Sequence, residues 1–296
     1  MNQPLTNTQM RDIEAVLHPY TNAHALRQTG AHMITRGEGI HVWDDAGKRY
    51  IEGMAGLWCC GLGFNDAELI EAAKEQLEKL PYYHLFGGRS HEPAVELAEK
   101  LKALAPGNMA RVIFQSSGSE ANDTQVKMAW YMNNALGRPE KKKIISRLRG
   151  YHGVTIVSAS LTGLVPNHRD FDLPVDCVRH TMTPHYWKEA EPGESEAEFV
   201  ARLAQALEDL IIEEGPDTIA AFIAEPVMGA GGAIVPPDGY FPAITAVCRN
   251  YDILTISDEV ITGFGRTGQW FGAQTLDYDP SSISVAKQMT GGYVPL

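Results

Sequence analysis

The sequence predicts an α/β protein in which helices flank a mostly parallel β-sheet. Three observations support this fold class: short β-rich runs alternate with longer helical stretches from Arg111 onward, the helical stretches have one apolar face, and small or charged residues follow each β-rich run. Residues 1–65 are predicted to form an N-terminal arm and a segment of a smaller domain. Residues 66–296 are assigned to the large domain.

Before Arg111, local signals predict a hairpin and two helices. The segment 39–52 is expected to form two short strands around a turn at Asp45-Ala46-Gly47. Residues 66–80 carry apolar side chains at helical spacing, and Pro93 is a residue type favoured in the first turn of a helix. The buried face of this second helix is predicted to consist of Leu97, Leu101 and Leu104.

From Arg111 onward, the pattern predicts five strands and three helices. The predicted strands are 111–115, 143–147, 218–224, 253–257 and 282–286. The predicted helices lie near 120–136, 196–214 and 241–250. The helix at 196–214 has the clearest apolar face. The stretch 181–195 contains two prolines and a glycine, and we expect it to be a loop or a short insertion.

The composition describes an acidic globular chain. Its 296 residues include 25 Lys and Arg against 37 Asp and Glu, a net charge of −12. This charge disfavours proteins that coat nucleic acids or bind anionic membranes. The longest apolar stretch is interrupted by Glu225 and several glycines, and residues 1–14 show no secretory signal. We therefore expect a cytoplasmic protein with no membrane or nucleic-acid partner.

No metal site is predicted from the cysteines or histidines. The chain has 4 cysteines, and they lack the paired spacing of zinc or redox sites, so we expect free thiols. They are Cys59, Cys60, Cys177 and Cys248. The 10 histidines likewise show no pairing at the spacing of metal ligands.

Small and aromatic residues follow the first two predicted strands, at the edge where ligands of parallel sheets bind. The run Ser116-Ser117-Gly118-Ser119-Glu120 leads directly into a helix, which would place backbone N–H groups and hydroxyls around a phosphate. An ordinary serine N-cap explains the same run. Tyr151 and His152 stand between two glycines, where Tyr151 could stack on a flat ligand or simply cover the edge of the core.

Three ionisable residues follow the remaining predicted strands. Glu225 and Asp258 each come directly after an apolar run, and Lys287 follows the last one. A buried carboxylate needs a cationic or donor partner, which a protonated heterocyclic nitrogen would supply, although a helix cap or salt bridge also explains Asp258. Lys287 alone would be read as a surface lysine. Combined with a phosphate cup and a stacking aromatic, these residues are the parts needed to hold pyridoxal phosphate.

The same residues fall in stretches that closely resemble the class III pyridoxal-phosphate aminotransferases, the ω-transaminase group of fold type I. In the large domain, the matching stretches are SGSEAND at 117–123, GYHG at 150–153, EPVMGAGG at 225–232, DEVITGFGRTG at 258–268 and AKQMTGGYVPL at 286–296. In the arm, they are HPYT at 18–21 and GMAGLWCCGLG at 53–63. The resemblance runs from about His18 to the last residue.

The resemblance implies a role for each matching position. Lys287 matches the lysine that forms a Schiff base with the cofactor, and Asp258 matches the aspartate beside its pyridine nitrogen. The other implied cofactor-site residues are Ser117, Gly118, Ser119, Tyr151, His152, Glu225 and Val260, with Glu225 acting through other groups. The implied substrate-pocket residues are Tyr20, Leu57, Trp58 and Tyr151. Because members of the family are dimers, Phe86-Gly87-Gly88 resembles a segment that reaches the neighbouring subunit's site, and we expect a homodimer or larger oligomer.

The implied reaction moves an amino group from an amine or ω-amino acid donor to a keto acid, with pyruvate the expected acceptor. Lys287 would act as general base and acid, Asp258 would keep the ring nitrogen protonated, and the kinetics would be ping-pong. Two alternatives share the lysine and aspartate: an aminomutase or decarboxylase of the same fold, and a remnant that binds without turnover.

Two further features of the sequence bear on this interpretation. The run 263–268, GFGRTG, formally matches the glycine pattern of dinucleotide-binding folds, but the residues after it do not begin a convincing helix. Lys287 would lie near the middle of a complete enzyme of the family, whereas here it stands close to Leu296. The expectation is therefore an N-terminal portion, with an incomplete large domain and without the C-terminal small domain.

Overall fold

The chain divides into two units, one ending at Pro81 and one spanning Tyr82–Leu296. A computed structural model describes residues 4–296, so the first three residues of the segment 1–14 lie outside the described residues. The sequence placed the boundary after residue 65. The helix Ala67–Lys79 instead groups by its contacts with the first unit, and the functional assignment of the two segments stays a prediction.

The first unit contains short helices and a small antiparallel sheet. Its elements are α1 (Asn7–Ala15), α2 (Ala23–Thr29), β1 (Ile34–Glu38), β2 (His41–Asp44), β3 (Arg49–Ile51), α3 (Ala55–Trp58) and α4 (Ala67–Lys79). The predicted hairpin is confirmed as β2 and β3, and β1 adds a third strand that the sequence did not predict. The carboxylate of Asp44 shapes the turn by accepting hydrogen bonds from the backbone N–H groups of Ala46 and Lys48.

The second unit contains a sheet flanked by helices. Its elements are α5 (Glu92–Leu104), α6 (Gly118–Ala135), β4 (Lys143–Arg147), α7 (Ile156–Leu161), β5 (Val178–Thr181), α8 (Tyr186–Glu189), α9 (Glu196–Glu214), β6 (Ile219–Ala224), α10 (Tyr240–Asn250), β7 (Leu254–Asp258), α11 (Gly272–Thr275) and β8 (Ser282–Ser284). The strand order is β5-β4-β6-β7-β8, and every neighbouring pair is parallel. The predicted α/β fold class is confirmed.

Side chains of the sheet alternate between two apolar layers. Ile145 and Phe222 pack on one face with α9 and α10, whereas Ile144 and Ala221 pack on the other with α6 and α7. Strand β6 is buried along its whole length, and β4 and β7 are buried at all but their first residue, as expected of a parallel sheet. The edge strands β5 and β8 are partly buried. This arrangement leaves the carboxyl ends of β4, β6, β7 and β8 at one common edge.

The predicted strand 111–115 is wrong. Among the described residues, no strand hydrogen-bonds to this segment, although its residues line a cavity of about 310 Å³ whose other wall includes β8. A β-rich run becomes a strand only when a neighbour completes its backbone ladder. The sequence also missed β5, α7, α8 and α11. Of these, α8 lies within the predicted loop 181–195, and the four-residue α11 begins shortly after the run 263–268, where no convincing helix was expected.

Candidate active site

Asp258 lies at the end of β7 and is almost fully buried. Its Oδ2 atom accepts hydrogen bonds from Nδ1 of His152 and Nδ2 of Asn122, each at 2.8 Å. Its Oδ1 atom accepts the backbone N–H of Val260 at 3.1 Å. An ionised carboxylate only accepts hydrogen bonds, so it matches this set of donors. The carboxylate is held in one orientation and is available to a further donor.

His152 is buried beside Asp258, with its side chain fully removed from solvent. Since Oδ2 of Asp258 accepts, Nδ1 of His152 carries the proton in this pair. Its backbone N–H donates to Oγ1 of Thr162, and its backbone oxygen accepts from Nδ2 of Asn122, so the main chain that carries the ring is held in place. The structure therefore places the ring of His152 in direct contact with the carboxylate of Asp258.

The N-terminus of α6 begins at the predicted phosphate cup. Ser117 is the N-cap residue, and its Oγ atom accepts the backbone N–H of Glu120 at 3.2 Å. The capping interpretation of this run is therefore correct for Ser117. Ser119 lies in the first turn, and its Oγ accepts the backbone N–H of Val154 at 3.1 Å, which leaves the hydroxyl proton to donate elsewhere. The helix has 18 residues, and its N-terminus favours an anion.

Gly118 lies where α6, the segment after β7 and the segment after β8 meet. A Cβ atom at Gly118 would lie 2.8 Å from Cγ2 of Val260 and 3.6 Å from Cβ of Ala286. Only glycine fits without a shift of its neighbours. This close approach brings the predicted phosphate cup, the predicted ring-packing residue Val260 and the neighbour of Lys287 together.

The loop that carries Tyr151 closes against Ser119 and Glu225. A Cβ atom at Gly153, whose φ is +138°, would lie 2.5 Å from Oγ of Ser119. The backbone N–H of Tyr151 donates to Oε1 of Glu225 at 2.9 Å. The side chain of Tyr151 is half-buried. The structure thus brings Tyr151 to the edge of the sheet beside the N-terminus of α6.

Lys287 follows β8 and begins a short 3₁₀ helix, Lys287–Thr290. Parallel pairing places Asp258 opposite Ser284, and the backbone N–H of Glu259 donates to the oxygen of Ser284 at 2.8 Å. Lys287 has a φ of +42°, a left-handed conformation that costs energy for a residue with a side chain. Its side chain is half-buried, so it is not the exposed surface lysine that it would resemble in isolation.

Glu259 anchors the glycine-rich run 263–268. Its fully buried carboxylate accepts backbone N–H groups from Gly272 and Ala273 and hydroxyl groups from Ser257 and Thr262. Burial raises the pKa of Glu259, and these donors oppose that effect. No helix opens within the run, so it lacks the arrangement that a dinucleotide-binding module requires.

Three predicted substrate-pocket residues lie in the first unit, and their role stays a prediction. Tyr20 is 72% exposed and Leu57 is 55% exposed, whereas Trp58 is half-buried. Leu57 and Trp58 belong to α3, in which every residue has a positive φ, from +47° to +66°. This turn is left-handed, a form that costs roughly 1–2 kcal/mol for each residue with a side chain.

Sequence reasoning missed two buried residues of this region. Asn122 was quoted only as part of a matching stretch, and Arg147 was not assigned a place in the site. Each is fully buried, and each makes hydrogen bonds to a predicted site residue. A polar residue on the apolar face of a helix or inside a buried strand is the signal that could have found them. Among the described residues, no cluster suited to a metal ion was found.

The chain resembles known transaminases over nearly its whole length. The family model described as Aminotransferase class-III matches residues 23–296. Gamma-aminobutyrate transaminase 1, mitochondrial, from Oryza sativa subsp. japonica is 51% identical over 282 residues, covering 95% of this chain and 55% of that protein. Vanillin aminotransferase from Capsicum chinense is 53% identical, covering 89% of this chain and 58% of that protein.

Solved structures show the same fold. The ω-transaminase from Pseudomonas jessenii in complex with PMP matches with a TM-score of 0.97 and 57% identity, covering 98% of this chain and 64% of that one. This chain spans about half the length of the curated relatives it matches. Enzymes of class III use pyridoxal phosphate. With a match over residues 23–296, the chain belongs to the class-III aminotransferase family.

Proposed function

We propose that this protein is a pyridoxal-phosphate-dependent transaminase that moves an amino group from an amine or ω-amino acid to a keto acid. The observation that carries the proposal is the setting of Asp258. It is buried at the end of β7, held by His152 and Asn122, and paired with the strand that leads to Lys287. In a member of the class-III family, this geometry supports a site for the cofactor's ring.

The residues at this edge fit pyridoxal phosphate. The N-terminus of α6 and the hydroxyl of Ser119 would bind the phosphate, because both offer donors to an anion. Asp258 would hold the proton of the ring nitrogen. Gly118 allows the first turn of α6 to pack directly against Val260, where a Cβ atom would lie only 2.8 Å from Cγ2 of Val260. When bound, pyridoxal phosphate supplies an electron sink for charge that develops at the substrate carbon.

The chain's own residues supply binding, orientation and proton transfer. The amine of Lys287 would accept a proton from the substrate carbon that carries the amino group and later return one. Asp258 would keep a proton on the ring nitrogen, and the buried donors around Asp258 would keep its carboxylate in place. Val260 and Tyr151 would pack against the two faces of the ring.

The substrate class rests on the relatives and on the first unit. The similar plant proteins are named for γ-aminobutyrate and for vanillin, both of which fit a transaminase acting on amino groups or aldehydes away from an α-carboxylate. We propose that Tyr20, Leu57 and Trp58 form aromatic and apolar walls for such a substrate, and that pyruvate is the acceptor. An aminomutase, a decarboxylase or an inactive remnant is less favoured, because the relatives are transaminases.

We also propose that the active form is a homodimer located in the cytoplasm. Phe86, in a segment proposed to reach the neighbouring subunit, is 85% exposed. The free state of Cys59, Cys60, Cys177 and Cys248 fits a reducing compartment. The names of the plant relatives place those proteins in mitochondria or chloroplasts, so fractionation of the source cell is the direct test.

Lys287→Ala tests the proposal. The purified 296-residue chain, incubated with pyridoxal phosphate, is expected to gain a visible absorbance band that Lys287→Ala lacks. Lys188→Ala, at an exposed lysine on α8, serves as the control and should keep the band. A panel of amine donors with pyruvate then identifies the substrate class. An unchanged spectrum in Lys287→Ala would contradict the role of the lysine.

A further inference from the structure

Glu225 connects two loops at the carboxyl edge of the sheet. It directly follows β6 and is almost fully buried. Its Oε1 accepts the backbone N–H of Tyr151 at 2.9 Å, and its Oε2 accepts the backbone N–H of Gly229 at 3.0 Å. Each carboxylate oxygen therefore has a backbone donor, and the side chain ties Tyr151 to the turn after β6.

Arg147 is the cation that faces Glu225 from the neighbouring strand. It is fully buried at the end of β4, and its Nη2 donates to the backbone oxygen of Glu225. Its guanidinium carbon lies 5.8 Å from the ring centroids of Tyr240 and Phe241. Among the described residues, Nε and Nη1 of Arg147 are buried and have no hydrogen-bond partner. Such a cation gains from any anionic charge nearby.

The charges around Glu225 come from several elements. Burial raises the pKa of its carboxyl, and the negative charge of Asp258 acts in the same direction. His152, the hydrogen bond from Tyr151 and the charge of Arg147 lower the pKa. His152 contributes most to this lowering and Arg147 least; together they favour the charged form of Glu225, in which both oxygens accept hydrogen bonds most strongly.

Besides the carboxylate of Glu225, direct backbone contacts hold the loop that carries Tyr151 against the turn after β6. Nη2 of Arg149 donates to the backbone oxygen of Gly231 at 2.7 Å. A Cβ atom at Gly231 would lie 2.3 Å from the backbone oxygen of Arg149, and one at Gly163 would lie 2.2 Å from that of Arg147. The loops pack backbone against backbone, so the position of the Tyr151 backbone depends on the loop after β6.

We propose that Glu225 is a positioning residue that fixes the backbone of Tyr151, so that the Tyr151 ring stacks on the cofactor. This inference rests on the proposed function, because it assigns the stacked ring to Tyr151. Glu225 does not contact the reacting atoms in this scheme. Its effect on cofactor binding passes through Tyr151.

A double-mutant cycle between Glu225 and Tyr151 tests this coupling. In Glu225→Gln, an amide NH₂ group replaces one carboxylate oxygen and faces a backbone N–H, so one hydrogen bond is lost. Because the Tyr151 ring is then held less firmly, the affinity for pyridoxal phosphate is expected to fall about tenfold. In a Tyr151→Ala background, the same change should lower the affinity less than about twofold, because the ring it positions is already gone. Glu213→Gln, at an exposed site on α9, is the matched control. An equal loss in both backgrounds would overturn the proposal.

Amide hydrogen exchange on the cofactor-free protein tests the same contacts without any ligand. We call the two hydrogen bonds from the N–H groups of Tyr151 and Gly229 to the carboxylate of Glu225 the clamp. Glu225→Gln is expected to speed exchange at the N–H groups of Tyr151 and Gly229 by about tenfold and to leave β6 unchanged. Glu225→Asp, which keeps the charge but shortens the reach, provides a second variant and should show the same pattern. Unchanged exchange at Tyr151 in both variants would contradict the clamp. If the wild-type chain bound no pyridoxal phosphate, the proposed function would fail while this measurement still tested the clamp.

Discussion

Nδ1 of His152 lies 2.8 Å from Oδ2 of Asp258, in a pair almost completely removed from solvent. The two residues are 106 positions apart in the sequence. A charge-assisted hydrogen bond of this kind is stronger than a neutral one, and its strength grows in a buried setting. The pair gives Asp258 a fixed orientation at the edge of the sheet where Lys287 emerges.

Replacing His152 is expected to slow the first half-reaction more than it weakens cofactor binding. His152→Ala leaves Oδ2 of Asp258 with one donor instead of two. A lost hydrogen bond to a charged group costs about 1.5–3 kcal/mol, which corresponds to roughly a 10- to 100-fold lower rate. Single-turnover spectroscopy with an amine donor measures this rate. His24→Ala, on an exposed helix of the first unit, is the control, and an equal rate in His152→Ala and wild type would refute the role.

Gly153 is expected to be intolerant of any side chain. A Cβ atom there would lie 2.5 Å from Oγ of Ser119 and 2.8 Å from Cβ of Ser158, and the φ of +138° is unfavourable for other residues. Gly153→Ala should lower the free energy of unfolding by about 1–3 kcal/mol and weaken phosphate binding, because Ser119 must move. Urea unfolding measures the change in the free energy of unfolding, and titration of the protein with inorganic phosphate measures the change in phosphate affinity. Gly53→Ala, where a Cβ atom meets nothing within 4 Å, should be near neutral.

Replacing Ala55 with glycine is expected to stabilise the left-handed turn α3. Ala55 has a φ of +47° and loses only a methyl group on replacement. The strain relieved is about 1–2 kcal/mol, and the greater freedom of glycine in the unfolded chain costs about 0.5–1 kcal/mol. Ala55→Gly should therefore raise the stability of the first unit by about 0.5 kcal/mol in chemical unfolding. Ala72→Gly, on the exposed side of α4, should have the opposite sign, and destabilisation by both would contradict the strain argument.

The pair Glu194 and Arg202 is expected to make stability depend on acid pH. The hydrogen bonds from Arg202 lower the pKa of Glu194 to about 2 from 4.5. A carboxyl whose native pKa is depressed contributes stability above its unfolded pKa and loses that contribution as the pH falls toward the native value. Stability should therefore decline between about pH 4.5 and about pH 2. Glu194→Gln should flatten this decline in urea unfolding, whereas Glu213→Gln should not; the same slope in Glu194→Gln as in wild type would rule the pair out.

Much of the architecture follows from local patterns that can be recognised in the sequence, such as apolar periodicity and helix caps. The apolar stripe of 196–214 predicts α9 residue for residue, and the capping box of Ser195 and Glu198 explains where it begins. Four of five predicted strands form: β4, β6 and β7 are mostly buried, and β8 pairs with β7 at the edge of the sheet. The strand 111–115 does not form, since pairing depends on a neighbour that local sequence does not specify.

By itself, the sequence determined the order of the site residues along the chain and showed that Tyr151, Glu225, Asp258 and Lys287 lie at or just after the ends of strands. The parallel order β4-β6-β7-β8 then brought those ends to one edge. Only the tertiary structure decided which groups meet. Nδ2 of Asn122 donates to Asp258, which is 136 positions away in the sequence, and the backbone N–H of Tyr151 donates to the carboxylate of Glu225, which is 74 positions away. The physical reason is that burial obliges each polar group to find a donor or acceptor, and the fold alone settles which partner is within reach.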